Sequence, residues 1–395
     1  MSEESFRYCY EDFWIYRDGV YIDKGKNIIE QKSQKKLGEP VRNNRVKEVK
    51  GYIRRANYAE PPIPQKKFIN LKNGRLDWET GELYPHNKNN FIITQLPIEY
   101  DPEAKCPQFK EYLRTTIDEE IIPLMLEVMG YCLIPDTSYE KSIMLLGEGA
   151  NGKGVFLDTL TELLGKKNVN NGELQELIDN RFRAANLLGK LANISADIGN
   201  QRLKKTNIFK MLVTGDRLEV EKKNKDPFNF YNYAKLLFSA NEIPKSSDRT
   251  YAFYRRWIII PFNRFFKGKN RDTKLKSKLK EELPGIFNLA LWGLRQLKKN
   301  DQFTEPEQVK EAKQEYKKQN DSVAAFVDEM VVIRKDAYIT KQHLYNSYQD
   351  FCESHGLKPV SQTKLKPSLC RIIENLDEFR NGTGGSWCWM NIELE

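Results

Sequence analysis

Residues 143–160 read IMLLGEGANGKGVFLDTL, and this pattern defines the central part of the chain. A short apolar run, a glycine-rich segment and an amphipathic segment follow one another, which predicts a strand, a tight loop and a helix. Gly147, four further residues, then Gly152 and Lys153 match most of the phosphate-binding loop pattern. Glycines let backbone N–H groups turn towards phosphate oxygens, and the lysine neutralises the terminal phosphates. The alternative is a glycine-rich turn with an exposed lysine.

The predicted ATP-binding residues are Gly147, Glu148, Gly149, Ala150, Asn151, Gly152, Lys153, Gly154 and Val155. One of them departs from the pattern, because Gly154 stands where a serine or threonine ordinarily holds magnesium. Magnesium would then be held mainly by water, phosphate and a distant acid. Alternatively, the protein has kept nucleotide binding and has lost hydrolysis.

Two polar residues follow later apolar runs. Asp197 comes directly after the run in LANISADIG, 44 residues past Lys153, and is the candidate to position Mg²⁺ through water and the attacking water itself. Asn241 ends the run in AKLLFSANEIP and could orient that water against the terminal phosphate. The alternatives are a helix cap for Asp197 and ordinary turn chemistry for Asn241. Ala196 precedes Asp197, so either the general base is unidentified or Asp197 serves both roles.

Two adjacent arginines, Arg255 and Arg256, lie in DRTYAFYRRWIIIPF. An arginine that reaches the nucleotide of a neighbouring subunit would stabilise the charge that develops during phosphoryl transfer, and hydrolysis would then depend on assembly. The alternative is a surface pair bound to carboxylates.

Composition limits the partners and the compartment. Of the 395 residues, 64 are Lys or Arg and 55 are Asp or Glu, so the net charge of +9 favours a polyanionic partner such as nucleic acid. The six cysteines are scattered without zinc-ligand spacing, which is typical of reduced intracellular thiols. No leader-like start and no run of about 18 apolar residues occurs, so we expect a cytoplasmic protein, in the host cytoplasm if viral, without a membrane partner.

The fold class predicted is α/β. We expect a parallel-sheet P-loop core, an N-terminal α+β and helical part, and a C-terminal unit of helices with a β wing. The proposed division comprises an N-terminal α+β helper domain (1–106), a helical connector (107–140), the ATPase domain (141–300), a linker (301–321) and the C-terminal domain (322–395).

The segment RLEVEKKNKDPFNFYN alternates before and after a turn-like KNKD, which predicts a β-hairpin. Lys222, Lys223 and Lys225 would lie at its tip, where lysines suit sequence-independent contacts to DNA phosphates. The alternative is a solvated charged loop. Residues 362–371 form a candidate recognition helix in the C-terminal unit, with Lys364, Lys366 and Arg371 available for phosphates.

The motifs GEGANGKG, ISAD, TGD, LLFSAN and RRWIIIPF, in this order, resemble the superfamily 3 helicase module of phage and plasmid primase-helicases and of the poxvirus NTPase-primase. NLKNGRLDWETGELYPH and EVMGYCL resemble the domain that precedes the motor in those proteins, so the resemblance covers most of the chain. It implies an AAA+-like core, ATP with Mg²⁺, and a hexameric ring that translocates on single-stranded and forked DNA. Separately, the predicted element order of the C-terminal unit resembles a winged helix, a module that contacts DNA or, alternatively, docks proteins. By resemblance Asp197 matches the acid of the second motif, Asn241 the sensor asparagine and Arg255 the arginine finger, with Arg256 as its alternative.

The resulting hypothesis is an ATP-hydrolysing DNA helicase for viral or plasmid replication, with a primase or polymerase as a candidate partner. A second hypothesis is a replication initiator or DNA-binding assembly factor that binds ATP and scarcely hydrolyses it, which Gly154 and the lone Asp197 favour. A third is a small-molecule P-loop kinase, which leaves the hairpin and the C-terminal unit unexplained.

Overall fold

The computed structural model describes residues 4–38, 42–199, 201–203, 205–223, 225–246, 248–266, 272 and 274–395. The strands are β1 Phe6–Cys9, β2 Asp12–Arg17, β3 Val20–Ile22, β4 Phe68–Leu71, β5 Gly74–Asp77, β6 Leu83–Tyr84, β7 Ser142–Leu146, β8 Val169–Asn170, β9 Ala192–Ser195, β10 Arg217–Val220, β11 Phe228–Tyr231, β12 Lys235–Ala240, β13 Trp257–Pro261, β14 Val331–Thr340, β15 Glu378–Arg380 and β16 Trp387–Leu394.

The α-helices are α1 Gly25–Leu37, α2 Asn43–Ala56, α3 Pro107–Thr116, α4 Ile122–Tyr131, α5 Lys153–Leu164, α6 Leu174–Asp179, α7 Arg181–Ala184, α8 Thr206–Thr214, α9 Tyr251–Tyr254, α10 Leu275–Glu281, α11 Leu283–Asn300, α12 Glu307–Asn320, α13 Ser322–Met330, α14 Lys341–Ser354 and α15 Gln362–Ile372.

The chain forms two compact units. The first comprises Met1–Gln201, Lys205–Ile243 and Arg255–Val309, and the second comprises Arg202–Lys204, Pro244–Tyr254 and Lys310–Glu395. The segment between β12 and β13 therefore belongs to the C-terminal unit although it lies between two strands of the central sheet in sequence. The five segments proposed from the sequence stay predictions.

The first unit begins with two small antiparallel sheets. Strands β1, β2 and β3 pair in order, and helices α1 and α2 pack on them through Ile29 and Ile53. Strands β4, β5 and β6 form the hairpin and third strand that the turn signals at Asn73-Gly74 and Thr80-Gly81 predict. Gly74 is needed at its turn, because its φ is 154° and a Cβ there would lie 2.7 Å from the carbonyl oxygen of Tyr84.

Helices α3 and α4 form the predicted helical segment ahead of the central sheet, and α4 packs closely on α11. Two glycines permit this packing. A Cβ on Gly130 would collide with the backbone of Ala290 and Leu294, and one on Gly293 with the backbone of Leu126. Both positions therefore require a residue without a side chain.

The central sheet has five parallel strands in the order β13-β7-β12-β9-β8. Helices cover it, and β7, β9, β12 and β13 are buried along almost their whole length. The predicted α/β class with a parallel sheet is confirmed. Continuous apolar runs indicate such strands because parallel strands lie between two helical layers.

The C-terminal unit has its own apolar core, to which Phe326, Leu344, Tyr348 and Leu369 contribute. Its elements follow the predicted order of helix, strand, two helices and a terminal pair of strands, joined in a sheet of order β14-β16-β15. The predicted strand at Tyr338-Ile339 is part of the longer β14. This strand pairs with β16 on both sides of a register shift between Ile333 and Tyr338. Assignment of this unit as a winged helix stays a prediction.

Candidate nucleotide and nucleic-acid sites

The loop 147–152 connects the carboxyl end of β7 to the start of α5, as the sequence pattern predicts. Two glycines make its path possible. Gly147 has φ 151° and a Cβ there would lie 2.5 Å from the carbonyl oxygen of Phe262, whereas Gly152 has φ 95° and a Cβ there would lie 2.5 Å from Thr116 Cγ2. A side chain at either position would displace the loop, which fits a cradle that a phosphate group approaches closely.

Neighbouring elements hold the loop in place. Asn151 Nδ2 donates a hydrogen bond to the carbonyl oxygen of Phe262 (3.1 Å), and the Phe266 N–H donates to the carbonyl oxygen of Ala150 (2.9 Å). From α3, the Tyr112 hydroxyl donates to the carbonyl oxygen of Gly152 (3.0 Å). Sequence reasoning missed Tyr112 as a site residue, because its only signal was the helical spacing of an apolar position.

Lys153 is buried, and its ammonium group donates to the carbonyl oxygens of Gly147 and Glu148, the latter at 3.1 Å. Burial lowers the pKa of the Lys153 ammonium, and the negative charge of Asp197 acts in the opposite direction. The loop's own carbonyl oxygens thus hold the charged end of Lys153. Phosphate oxygens could take over these hydrogen bonds, since they are stronger acceptors for a cation.

Gly154 lies in the first turn of α5, exposed, and an added Cβ there would meet no atom within 4 Å. The missing hydroxyl is therefore not explained by crowding. Val155, the next residue, packs against the apolar core.

The register of the sheet brings the predicted acid and amide to the same edge as the loop. Ala240 of β12 pairs with Leu146 of β7, so Asn241 is level with Gly147. Phe238 pairs with Ser195 of β9, so Asp197 is level with Ala240. Asp197 and Asn241 are both exposed, at the carboxyl ends of adjacent strands, where parallel sheets bind their ligands.

Arg255 and Arg256 lie near the opposite ends of these strands, on the amino side of the sheet. Trp257, which follows them, pairs with Ser142 at the amino end of β7, about 13 Å along the strand from Leu146. Arg255 is ion-paired with Glu140, and Arg256, which is buried, lies 3.5 Å from the same carboxylate. Neither arginine is brought to the loop of its own chain.

The hairpin predicted from RLEVEKKNKDPFNFYN is present as β10 and β11. Lys223 is exposed, whereas Lys222 and Lys225 each form an ion pair with Asp12, at 3.0 and 2.7 Å. Asn224 of the predicted turn lies outside the described residues. Pairing with the N-terminal sheet was not foreseen, since Asp12 is about two hundred residues distant in sequence.

On the candidate recognition helix α15, Lys364 is exposed. Lys366 pairs with Glu378 at 2.7 Å, and Arg371 pairs with Asp321 of the same unit. Two of the three predicted phosphate contacts are thus engaged with carboxylates.

Metal clusters and membrane-spanning helices are both absent from the residues that the structure describes. No group of three or more His, Cys, Asp or Glu side chains could hold a metal ion there. No helix among them is both long and apolar enough to cross a membrane. The six cysteines are free thiols, and all except Cys370 are buried.

The fold and the loop define an α/β protein with a P-loop-type strand, loop and helix. Three family profiles match the chain: "D5 N terminal like" over residues 2–118, a family of unknown function (DUF5906) over residues 145–256, and "Poxvirus D5 protein-like" over residues 318–387. "Putative helicase L207/L206" of Acanthamoeba polyphaga mimivirus is 23% identical over 353 residues, and "Putative helicase 121R" of Invertebrate iridescent virus 3 is 22% identical over 339 residues. These matches cover 80% and 75% of this chain but 35% and 36% of those proteins, so the chain spans about a third of their length.

Among solved structures, the apo structure of the NrS-1 C-terminal region matches with a TM-score of 0.58 at 13% identity, covering 99% of this chain and 97% of that one. Its A form gives a TM-score of 0.57 at 13% identity, with the same coverage. This similarity concerns the fold. The family profiles and the sequence matches support a viral primase-helicase family for this chain, as the order of its motifs predicts.

Proposed function

We propose that the protein is an ATP-dependent DNA helicase of superfamily 3 that translocates on single-stranded DNA as a hexameric ring during viral or plasmid replication. One observation carries this proposal. The loop, Asp197 and Asn241 lie at the carboxyl ends of the parallel strands, whereas Arg255 lies at their amino ends. A complete hydrolytic site therefore needs an arginine from a second copy, and a closed ring supplies one to every site.

The loop residues fit a nucleoside triphosphate, since Gly147 and Gly152 permit a loop path that a residue with a side chain could not take, and Lys153 offers a buried cation. When bound, ATP supplies the transferable phosphoryl group, and Mg²⁺ supplies positive charge that neutralises the phosphate oxygens. Lys153 would exchange its carbonyl partners for phosphate oxygens. Asp197 would hold Mg²⁺ through water, and Asn241 would orient the attacking water.

The hairpin lysines are the proposed DNA contacts of the motor. Lys223 is exposed, and Lys222 and Lys225 are partly exposed, so all three could reach phosphates after release from Asp12. Such contacts carry no base specificity, which suits movement along a strand of any sequence. We also propose that the C-terminal unit is a winged helix that contacts DNA through Lys364.

Mixing two inactive variants tests the shared site. Lys153→Ala removes the phosphate-binding cation and Arg255→Ala the arginine in trans, so each variant alone should lose ATP turnover and unwinding. In mixed assemblies, an Arg255→Ala subunit followed by a Lys153→Ala subunit recreates one intact site, and turnover should partly return. Lys298→Ala, which removes an exposed lysine of α11, is the matched control and should stay active. Full turnover by either variant alone, or none in verified mixed assemblies, would overturn the proposal.

Gly154 favours a second candidate function, an ATP-binding assembly factor that scarcely hydrolyses its nucleotide. The position is open, so no steric reason accounts for the missing hydroxyl. Steady-state turnover with and without single-stranded DNA separates the two functions. Stimulation by DNA supports the helicase, and nucleotide binding with negligible turnover in both conditions supports the assembly factor.

A further inference from the structure

The positive charge of the chain is concentrated in one short segment. Lys24 to Tyr58 contains 11 Lys and Arg against 3 Asp and Glu, a net charge of +8 in a chain whose total is +9. Helices α1 and α2 make up most of this segment. None of these residues belongs to the nucleotide loop, the hairpin or the C-terminal unit, so the charge needs a separate explanation.

Part of this charge serves the fold. Lys50 pairs with Glu30 at 2.6 Å, and Arg54 lies 3.9 Å from Glu11 with its guanidinium 4.8 Å from the Tyr8 ring centroid. The remaining charges of α2 are of a different kind. Arg45, Lys47 and Arg55 are exposed, and none has an ion pair within the described part of the chain.

The orientation of α2 is fixed by its apolar side. Ile53 is buried, and Val49 packs beside it in the cluster formed with Phe6, Ile15 and Ile29. With 3.6 residues per turn, Arg45, Tyr52 and Arg55 lie within about 80° of one another around the helix axis, and Glu48, the one acid of the helix, lies among them. Lys47 lies about 80° beyond Arg55 on the solvent side. Because the apolar side already faces the protein, α2 has no apolar face left to insert into a membrane surface.

An exposed aromatic ring lies among these charges. Tyr52 is 68% exposed, and Tyr58, just beyond the helix, is 67% exposed. Large rings are ordinarily buried, so an exposed tyrosine on the same side of a helix as Arg45 and Arg55, which have no ion pair within the described ranges, suits a ligand that combines phosphates with flat apolar rings. Single-stranded nucleic acid has both. In duplex DNA the bases are stacked on one another, and their faces are not accessible to a tyrosine ring.

We infer that the solvent side of α2, with the cations Arg45, Lys47 and Arg55, the ring of Tyr52 and the single acid Glu48, is a second binding surface for single-stranded DNA. The cations contact phosphates, and the Tyr52 ring stacks on a base. This inference rests on the proposed function only in taking DNA as the ligand. It requires neither ATP nor the hairpin, and it assigns DNA capture to the N-terminal part of the chain.

Fluorescence anisotropy with a labelled thymidine oligonucleotide, without nucleotide and over a salt series, tests the inference. Each phosphate contact to a single strand contributes about 0.7 to the slope of log affinity against log salt. The combined change of Arg45, Lys47 and Arg55 to Gln should therefore make the slope less negative by about 2. The control changes Lys105, Lys298 and Lys299, which are also exposed, to Gln and should leave the slope unchanged.

Tyr52 gives an independent measurement. Tyr52→Ala should weaken binding by roughly 5- to 10-fold, because loss of a base–aromatic stack has about this effect, whereas Tyr52→Phe should bind like the wild type. Melting curves by circular dichroism verify that the exposed substitutions leave the fold intact. If the α2 triple variant behaves like the control, or if duplex DNA binds as tightly with the same dependence on Tyr52, the inference is wrong.

A hairpin variant separates this inference from the proposed function. Changing Lys222, Lys223 and Lys225 to Gln should abolish unwinding while the α2-dependent part of binding remains. Loss of unwinding in the hairpin variant, together with unchanged binding in the α2 variants, would contradict the α2 surface alone. Unchanged unwinding in the hairpin variant, together with weaker binding in the α2 variants, would contradict only the motor contacts.

Discussion

Nζ of Lys225 lies 2.7 Å from Oδ1 of Asp12, so a lysine of the central hairpin is ion-paired with the N-terminal sheet. Lys222 pairs with the other oxygen of the same carboxylate at 3.0 Å. Asp12 follows a tight turn in which Tyr10 and Glu11 have positive φ values, 52° and 59°. Two of the three cations proposed to contact DNA are therefore partly neutralised in this conformation, and DNA has to compete with Asp12 for them.

Replacing Asp12 with Asn should strengthen binding of single-stranded DNA by about 2- to 5-fold, because exposed ion pairs each contribute about 0.2–1 kcal/mol. The gain should shrink at high salt, which screens the pairs. Anisotropy titrations at two salt concentrations measure it. Asp18→Asn removes the same charge from an exposed side chain that has no ion pair among the described residues, and should have little effect. Equal affinity of the Asp12 variant and the wild type would show that this contact does not restrain the hairpin.

Restoring a hydroxyl at position 154 tests the role of the unusual glycine. Gly154→Ser fits without a clash and offers a ligand to Mg²⁺, so Mg²⁺-dependent ATP turnover should rise by about tenfold, equivalent to about 1.4 kcal/mol. Gly154→Ala is the control, since the added methyl group meets no atom within 4 Å and offers no hydroxyl. An unchanged rate in the Gly154 variant would mean that another group already fulfils this role.

The two adjacent arginines should differ in what their loss affects. Arg255→Ala should bind nucleotide normally but lose at least about a thousandfold in turnover, as expected for an arginine that acts in trans. Arg256→Ala should lower thermal stability by about 1–3 kcal/mol, because it removes a buried side chain that lies 3.5 Å from Glu140. Thermal unfolding and nucleotide titration of both variants separate the effects. The assignment is reversed if Arg256→Ala is stable but inactive and Arg255→Ala is active.

Lys235 should make stability depend on alkaline pH. Its ammonium group is buried, donates to the carbonyl oxygens of Ile134 and Tyr233, and lies 4.9 Å from the Tyr131 ring centroid. Burial lowers the pKa of Lys235 to about 8, whereas the pKa of a lysine in the unfolded chain is about 10.4. Between these values the unfolded chain binds more protons, so this group makes the free energy of unfolding rise with pH from about 8 to about 10.

Urea unfolding at several pH values, compared between the wild type and Lys235→Met, isolates this contribution. The methionine variant keeps the side-chain length but has no proton to lose, so the rise should be absent from it. Parallel pH profiles for the two proteins would show that Lys235 titrates at its ordinary pKa in the fold.

Local sequence patterns predicted the elements of the central domain well. The strand, loop and helix around Lys153, the hairpin that carries Lys223, and the buried strands before Asp197 and Asn241 all follow from signals within about twenty residues. Glycines permit the geometry of the loop. Alternation of polar and apolar residues suits a hairpin with one exposed and one buried face, and uninterrupted apolar runs suit strands that are covered on both faces. Such signals are readable because they reflect backbone preferences that act between near neighbours.

The pairing of distant elements could not be read in this way. Several contacts join residues that are about 40 to 210 positions apart in sequence. They are the hydrogen bond from Tyr112 to Gly152, the ion pair of Asp12 with Lys225, and the close packing of Gly130 on α11. The placement of Arg255 at the opposite edge from the loop likewise depends on the parallel register of β13 with β7. These relationships arise from packing and register among non-local elements, which a single sequence does not encode as a local pattern. Sequence thus specified which chemical groups the protein possesses, and the three-dimensional arrangement decided which of them lie beside the loop, as Asp197 and Asn241 do, and which lie at the opposite ends of the strands, as Arg255 does.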